Sequence, residues 1–328
     1  QLNPERRAYL GMKQDNDKWT PRDEEQDKRM HDNAVSTLNE LKSVSRKGLA
    51  EQGRHQLDVA TFFYAQQVES YRWRHHWYAL SQLESPVDDV AAILINYHPV
   101  ENLADARAFI VRLTRVSEVV DDVIAGIKLR AAKGVRPPSF VYPKIIENTQ
   151  GLLLGKPFED VNNESLLLSS FRERVTALGL SDELVTRAEQ VLVSDYQPAL
   201  LRYIEFLKAS QKDTNEDDGV WKLPDGVAFY RAALRRYTTT DLGADEIHER
   251  GLEEVARIHD EIRQIMVKVE YKGSLQDFFH YMRENPRWYY PETDQARRDY
   301  LADTNVAIER ARGLIDTYFN LKPKADVV

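Results

Sequence analysis

Between residues 244 and 262 the chain reads ADEIHERGLEEVARIHDEI. A zinc peptidase helix sets a His-Glu pair one turn before a second histidine. Both imidazoles then bind one ion, and the glutamate acts as general base. Here the pair is His248-Glu249, and the next histidine is His259, eleven residues after His248. The place of the second ligand, four residues after His248, is held by Leu252. At about 100° per residue His248 and His259 share a helix face. At ~1.5 Å rise per residue they lie roughly 16 Å apart. Zinc–nitrogen bonds are ~2 Å long, so one ion is not held by both. The residues themselves therefore predict two histidines flanking an apolar stripe at a helix–helix contact, with Glu249 solvated or salt-bridged.

Other constellations are weaker. RWRHHWY (72–78) mixes bases with aromatics, as a single-stranded nucleic-acid platform does. The net charge of −8 opposes that reading, and no nucleic-acid partner is expected. Trp73 and Trp77, spaced i,i+4, are expected on one core face, with His75 and His76 pointing about 100° apart on the same helix. Asp121-Asp122 resembles the aspartate pairs that hold magnesium and diphosphate, but Ala125 and Gly126 stand where a third acid belongs. No Gly-rich phosphate loop and no Gly-x-Ser-x-Gly elbow occurs.

The elements that carry these residues read as helices. The chain has 328 residues, 42% of them hydrophobic, so a packed core is feasible. It contains no cysteine, which excludes disulfides, thiolate metal sites and cysteine nucleophiles. No run reaches the roughly 20 apolar residues of a membrane helix. Helical periodicity predicts helices near 22–50, 55–80, 86–97, 102–114, 116–133, 164–178, 181–211, 226–237, 244–271, 274–284 and 293–319. In the helix over 244–271, Ile247, Gly251, Val255, Ile258, Ile262, Ile265 and Val269 form one stripe, with Gly243 as N-cap and Glu246 in the capping-box position. No segment alternates as a strand and no repeat of 20–50 residues is present. The expected fold is all-α: an irregular, elongated bundle of about ten or more helices. The polar segment 211–222 (QKDTNEDDGVWK) is expected to separate a helical part over 1–210 from another over 223–328.

One block is more specific. LPDGVAFYRAALRRYTTTDLGADEIHERGLEEVARIHDEI (223–262) resembles a bacterial family known as domain of unknown function 885. Pro224-Asp225-Gly226, Tyr237-Thr238-Thr239-Thr240 and Glu246-Ile247-His248-Glu249 carry the likeness. RPPSFVYPKIIENTQGLL (136–153) and Tyr9-Leu10-Gly11 extend it over nearly the whole chain. The resemblance implies a mostly helical, zincin-like metallopeptidase, often a lipoprotein. It implies a zinc motif, a His-Glu pair followed by Gly-His-His, in a second half that this chain lacks. On that reading the chain is the family's N-terminal half, ending near NLKPKADVV (320–328). No catalytic or metal-ligating residue carries over to it, and the zinc is expected in the missing half.

The expected partners are then the protein's own C-terminal half and a peptide substrate. The expected substrate-binding residues are Tyr237, Thr238, Thr239 and Thr240, whose hydroxyls suit a peptide backbone. The bland alternative is that these threonines only end one helix and lead into the next. A second function class stays open: a non-catalytic helical binding or scaffolding module. An uncovered apolar face on the helices at 244–271 and 293–319 would favour the peptidase portion. A chain opening at Gln1 and free of cysteine fits a processed exported protein, periplasmic or anchored as a lipoprotein, with a cytoplasmic location also compatible.

Overall fold

The computed structural model describes residues 3–83 and 85–320, so the last eight residues of NLKPKADVV lie outside the described residues. Among the described residues the architecture is all-α, with no strand and a single isolated bridge between Lys156 and Glu164. The chain forms two compact units, residues 1–241 and 242–328. The polar segment 211–222 lies inside the first, and the division follows Asp241.

The first unit contains α1 (Pro4–Tyr9), α2 (Glu24–Ser43), α3 (Glu51–Ser70), α4 (Asp88–Asn96), α5 (Leu103–Thr114) and α6 (Val116–Ala132). It continues with α7 (Val141–Gly151), α8 (Leu166–Ala177), α9 (Glu183–Val191), α10 (Gln197–Gln211) and α11 (Gly226–Thr238). Helix α5 shows how the sequence sets the packing. Asn102 caps it by accepting from the amides of Ala104 and Asp105. Ala106, Phe109, Ile110 and Leu113 follow the i, i+3, i+4, i+7 pattern, and all four are buried. Phe109 stacks on Phe171 of α8 with ring centroids 4.3 Å apart. Burial of each large member of this stripe contributes on the order of 2 kcal/mol. The same core takes Val116 and Val120 from α6, Ile145 from α7 and Leu200 and Tyr203 from α10.

Two expected helices are interrupted. The stretch expected as one helix over 181–211 holds a π-helical turn, Leu192–Tyr196, between α9 and α10. A residue is inserted there, and the face presented by the chain rotates, which turns Tyr196 into the core. The helix expected over 55–80 stops at Ser70, with one 3-10 turn, Tyr71–Trp73, after it. The cause is long-range. Arg130 of α6 donates from Nε to the Trp77 carbonyl at 3.0 Å and from Nη2 to the Arg74 carbonyl at 3.3 Å. Those carbonyls serve a guanidinium instead of a helix ladder. Trp73 and Trp77 still reach one small core, with their rings 5.8 and 5.0 Å from that of Phe229 on α11.

Gly155 marks a close approach. Its φ is +79°, and a Cβ there would stand 2.8 Å from backbone atoms of Glu164 and Ser165, beside the Lys156–Glu164 bridge.

The second unit contains α12 (Ala244–Lys268), α13 (Leu275–Glu284) and α14 (Asp294–Tyr318). Gly243 is the N-cap of α12, as expected, but Glu246 pairs with Arg250 at 3.1 Å and no side-chain cap bond forms. The capping box appears on α13, where Ser274 and Asp277 bond reciprocally. Tyr271, Phe278, Tyr281 and Trp288 form a chain of ring contacts. Among the described residues of this unit, only Met266, Phe278 and Ala296 are buried hydrophobics. Large apolar side chains of the two long helices stay exposed: Val255 is 50% exposed, Leu301 60% and Ile308, on the same face as Leu301, 44%.

Candidate functional site

The expected turn comes first. Tyr237 and Thr238 end α11, Thr239 is its C-cap, and Thr240 follows directly before the boundary between the units. The Thr238 hydroxyl donates to the Leu234 carbonyl at 2.9 Å and accepts the Thr240 amide at 3.2 Å. It also lies 2.9 Å from the Thr240 hydroxyl. Thr238 therefore ties the turn together. Tyr237 is 73% exposed, and its ring stands 6.3 Å from that of Trp77. Thr239 has φ +57°, a left-handed conformation that a β-branched residue rarely takes. Such strain is found where surrounding structure or function demands it.

The His-Glu pair gives no metal site. His248 and Glu249 are exposed on α12. His259 stands on the same uninterrupted helix, its ring 6.1 Å from that of Phe279 on α13. Leu252 occupies the ligand position one turn after His248. Among the described residues no group of three or more His, Asp or Glu is placed to hold a metal ion. Asp121 and Asp122 are also spent: Asp121 pairs with Arg202 at 2.8 Å, and Asp122 accepts the Arg22 amide at 2.8 Å.

A cleft of about 600 Å³ lies elsewhere in the first unit, bounded by the start of α2, the turn after α3 and one face of α6. Each wall follows from local chemistry. Asp23 caps α2 by accepting the Gln26 amide at 2.7 Å. Glu24 and Asp27 then share a face, since they are spaced i,i+3. On α6, Asp122, Gly126, Leu129 and Arg130 lie at i, i+4, i+7 and i+8, and all four line the cleft. The Arg130 bonds described above fold residues 74–77 over α6 and so bring His75 to the third wall.

His75 is the least expected member. Its side chain is only 9% exposed. Glu24 Oε1 stands 2.8 Å from its Nε2, at ion-pair distance but outside hydrogen-bond alignment, and among the described residues neither ring nitrogen has a hydrogen-bond partner. Burial, reinforced by the charge of Arg74, holds the His75 pKa below its ordinary value, against the pull of Glu24. That direction favours the neutral ring. Among the described residues the Asp27 carboxylate makes no hydrogen bond or ion pair, and together with Glu24 it favours the charged form of Arg130. Around these groups the walls are apolar: Met30, Ala79, Pro86, Val123 and Leu129. Sequence reasoning missed this site because it read His75 as one of two divergent histidines on a helix. Its visible trace was the run of acids at the start of α2.

The family described as "Bacterial protein of unknown function (DUF885)" matches residues 4–328. Among solved structures, a protein from Colwellia psychrerythraea that carries the provisional description of a lipoprotein is similar, with a TM-score of 0.84 and 19% identity. The similarity covers 98% of this chain and 58% of that one, so this chain spans little more than half the length of that protein. At this identity the likeness concerns the fold. No curated protein matches the chain.

Proposed function

The chain belongs to this DUF885 family, and with that as premise we propose that it forms the N-terminal, cleft-forming portion of a zincin-like zinc metallopeptidase. One observation carries the reading: the second unit has two 25-residue helices, α12 and α14, that keep large apolar side chains such as Val255, Leu301 and Ile308 exposed. A unit with so few buried side chains gains little stability from its own core. A further stretch of the same protein is the natural cover, since the Colwellia protein extends well beyond the matched region. The lipoprotein description of that relative supports an exported location, periplasmic or membrane-anchored. Among the described residues no helix is long and apolar enough to cross a membrane.

The described residues of this chain do not fit a zinc site, because the His-Glu pair lacks the neighbouring ligand. Zinc would be held by the remaining portion, and no step of catalysis is assigned to residues here. The role of this portion is to hold a peptide. Tyr237 and Thr239 present hydroxyls without partners among the described residues, and the Thr238 bonds fix the turn that carries them.

The test uses a family protein containing both this portion and the rest. It should bind about one zinc per chain and hydrolyse peptides, with Tyr237→Phe and Thr238→Ala raising KM several-fold. Unchanged turnover and affinity in both variants would remove the turn from the site. A longer protein with neither zinc nor hydrolysis would leave a binding or scaffolding module. The cleft at His75 is the observation that favours this second reading.

A further inference from the structure

We propose that the cleft between α2, α6 and the turn at His75 binds an organic cation with an apolar stem, a primary alkylammonium. This stands apart from the peptidase reading and needs no second half. The sign of the ligand follows from what each charge is already doing. Arg130 spends its guanidinium on the carbonyls of Trp77, Gly126 and Arg74. Arg22 donates to the Thr20 carbonyl at 3.3 Å and sits 3.8 Å from Glu5. Neither presents a free fork to an anion. Asp23 and Asp122 are held by backbone amides. Among the described residues the Asp27 carboxylate makes no hydrogen bond or ion pair and acts on Arg130 only through its charge, and Glu24 contacts His75 and, at 3.5 Å, Arg74.

The N-terminus of α2 opposes a cation, with roughly half a positive charge. The three carboxylates Asp23, Glu24 and Asp27 in its cap and first turn outweigh it. His75 supplies the second, independent indication. It is nine-tenths buried, lines the cleft, and leaves Nδ1 unpartnered. Unpaired buried polar atoms are rare and costly in folded proteins. Glu24 beside Nε2 favours the proton on that nitrogen, which leaves Nδ1 an acceptor. A neutral acceptor suits an N–H donor and does not repel a cation. The apolar walls, Met30, Val123 and Leu129 among them, fit the stem, and about 600 Å³ lies in the range of small-molecule sites.

The proposal is tested by calorimetric titration of the whole chain with three probes: n-hexylammonium, N-acetyl-lysine methylamide and hexanoate. The two ammonium probes should bind and hexanoate should not. Tighter binding of the lysine derivative would identify a peptide side chain as the source of the cation; tighter binding of hexylammonium would identify a free amine. Asp27→Asn should weaken the ammonium probes at least tenfold. Ala125→Phe, an exposed substitution that fills the cleft without altering charge, should abolish binding, with both variants melting near the parent temperature. Failure of both ammonium probes, equal or tighter binding of hexanoate, or unchanged affinity in both variants would overturn the proposal.

Discussion

Arg130 Nε donates to the Trp77 carbonyl at 3.0 Å, and this bond joins α6 to the turn that carries His75. Two more carbonyls, of Gly126 and Arg74, accept from the same guanidinium. Burial lowers the Arg130 pKa, so the group is held by these bonds at a desolvation cost. Removing it takes the donor from the Trp77 and Arg74 carbonyls, while the Gly126 carbonyl keeps its helical bond. Arg130→Met should destabilise the first unit by about 2–4 kcal/mol in urea unfolding. Arg130→Lys, which reaches at most part of the fork, should recover less than half of that.

A half-buried and a buried group of the first unit oppose each other between about pH 4 and 6.5. Burial raises the Asp88 pKa to about 6, while Thr149 Oγ1 donates to it at 2.9 Å. The folded state then binds a proton that the unfolded state has lost, so stability falls as pH rises from about 4 to 6, by about 3 kcal/mol in all. Burial lowers the His98 pKa to about 4. Here the unfolded state binds the proton first, so stability falls as pH drops from about 6.5 to 4, by a similar amount. The two slopes nearly cancel in the parent protein. Asp88→Asn keeps an acceptor for Thr149 and removes one slope. It should raise stability at pH 7.5 by about 1–3 kcal/mol and expose a steep loss on acidification, read by urea midpoints across that window.

Thr239 offers a separate test of the turn. Its left-handed φ costs on the order of 1 kcal/mol relative to glycine. Thr239→Gly should therefore raise the unfolding midpoint. If the turn only ends α11, a longer family protein carrying this change keeps its peptide turnover. If the turn holds a peptide, the loss of the hydroxyl and the added freedom raise KM several-fold while stability still increases. The opposite movement of the two measurements separates strain kept for function from strain without it.

The helical class was legible because apolar spacing is local. The stripe on α5 and the seven-residue stripe on α12 are both written in sequence, and both form helices. What was not legible depends on partners distant in the chain. The helix end at Ser70 is set by Arg130, dozens of residues later. The π turn at Leu192–Tyr196 keeps ordinary helical composition and changes only the register of the core. The cleft shares this cause. Asp27 gains meaning only when α6 brings Arg130 opposite it, and His75 only when its turn is folded over. The Tyr237–Thr240 turn, expected between two helices, closes the end of α11. Sequence did not foresee that Thr238 would use its own hydroxyl to tie that turn.

The uncovered helices of the second unit make the last prediction. Leu301 and Ile308 stand two turns apart on one face of α14, and both are exposed. In the isolated chain they contact water, so replacing them costs no packing. Leu301→Lys with Ile308→Glu should leave the urea midpoint of this chain within about 0.5 kcal/mol. The same pair should lower its binding of a hydrophobic dye and its tendency to associate. In a longer family protein whose remaining portion covers α14, those charges become buried without partners, and the pair should destabilise it by several kcal/mol. An equal, small effect in both proteins would show that α14 faces water in each, and the proposed covering portion would have to lie elsewhere.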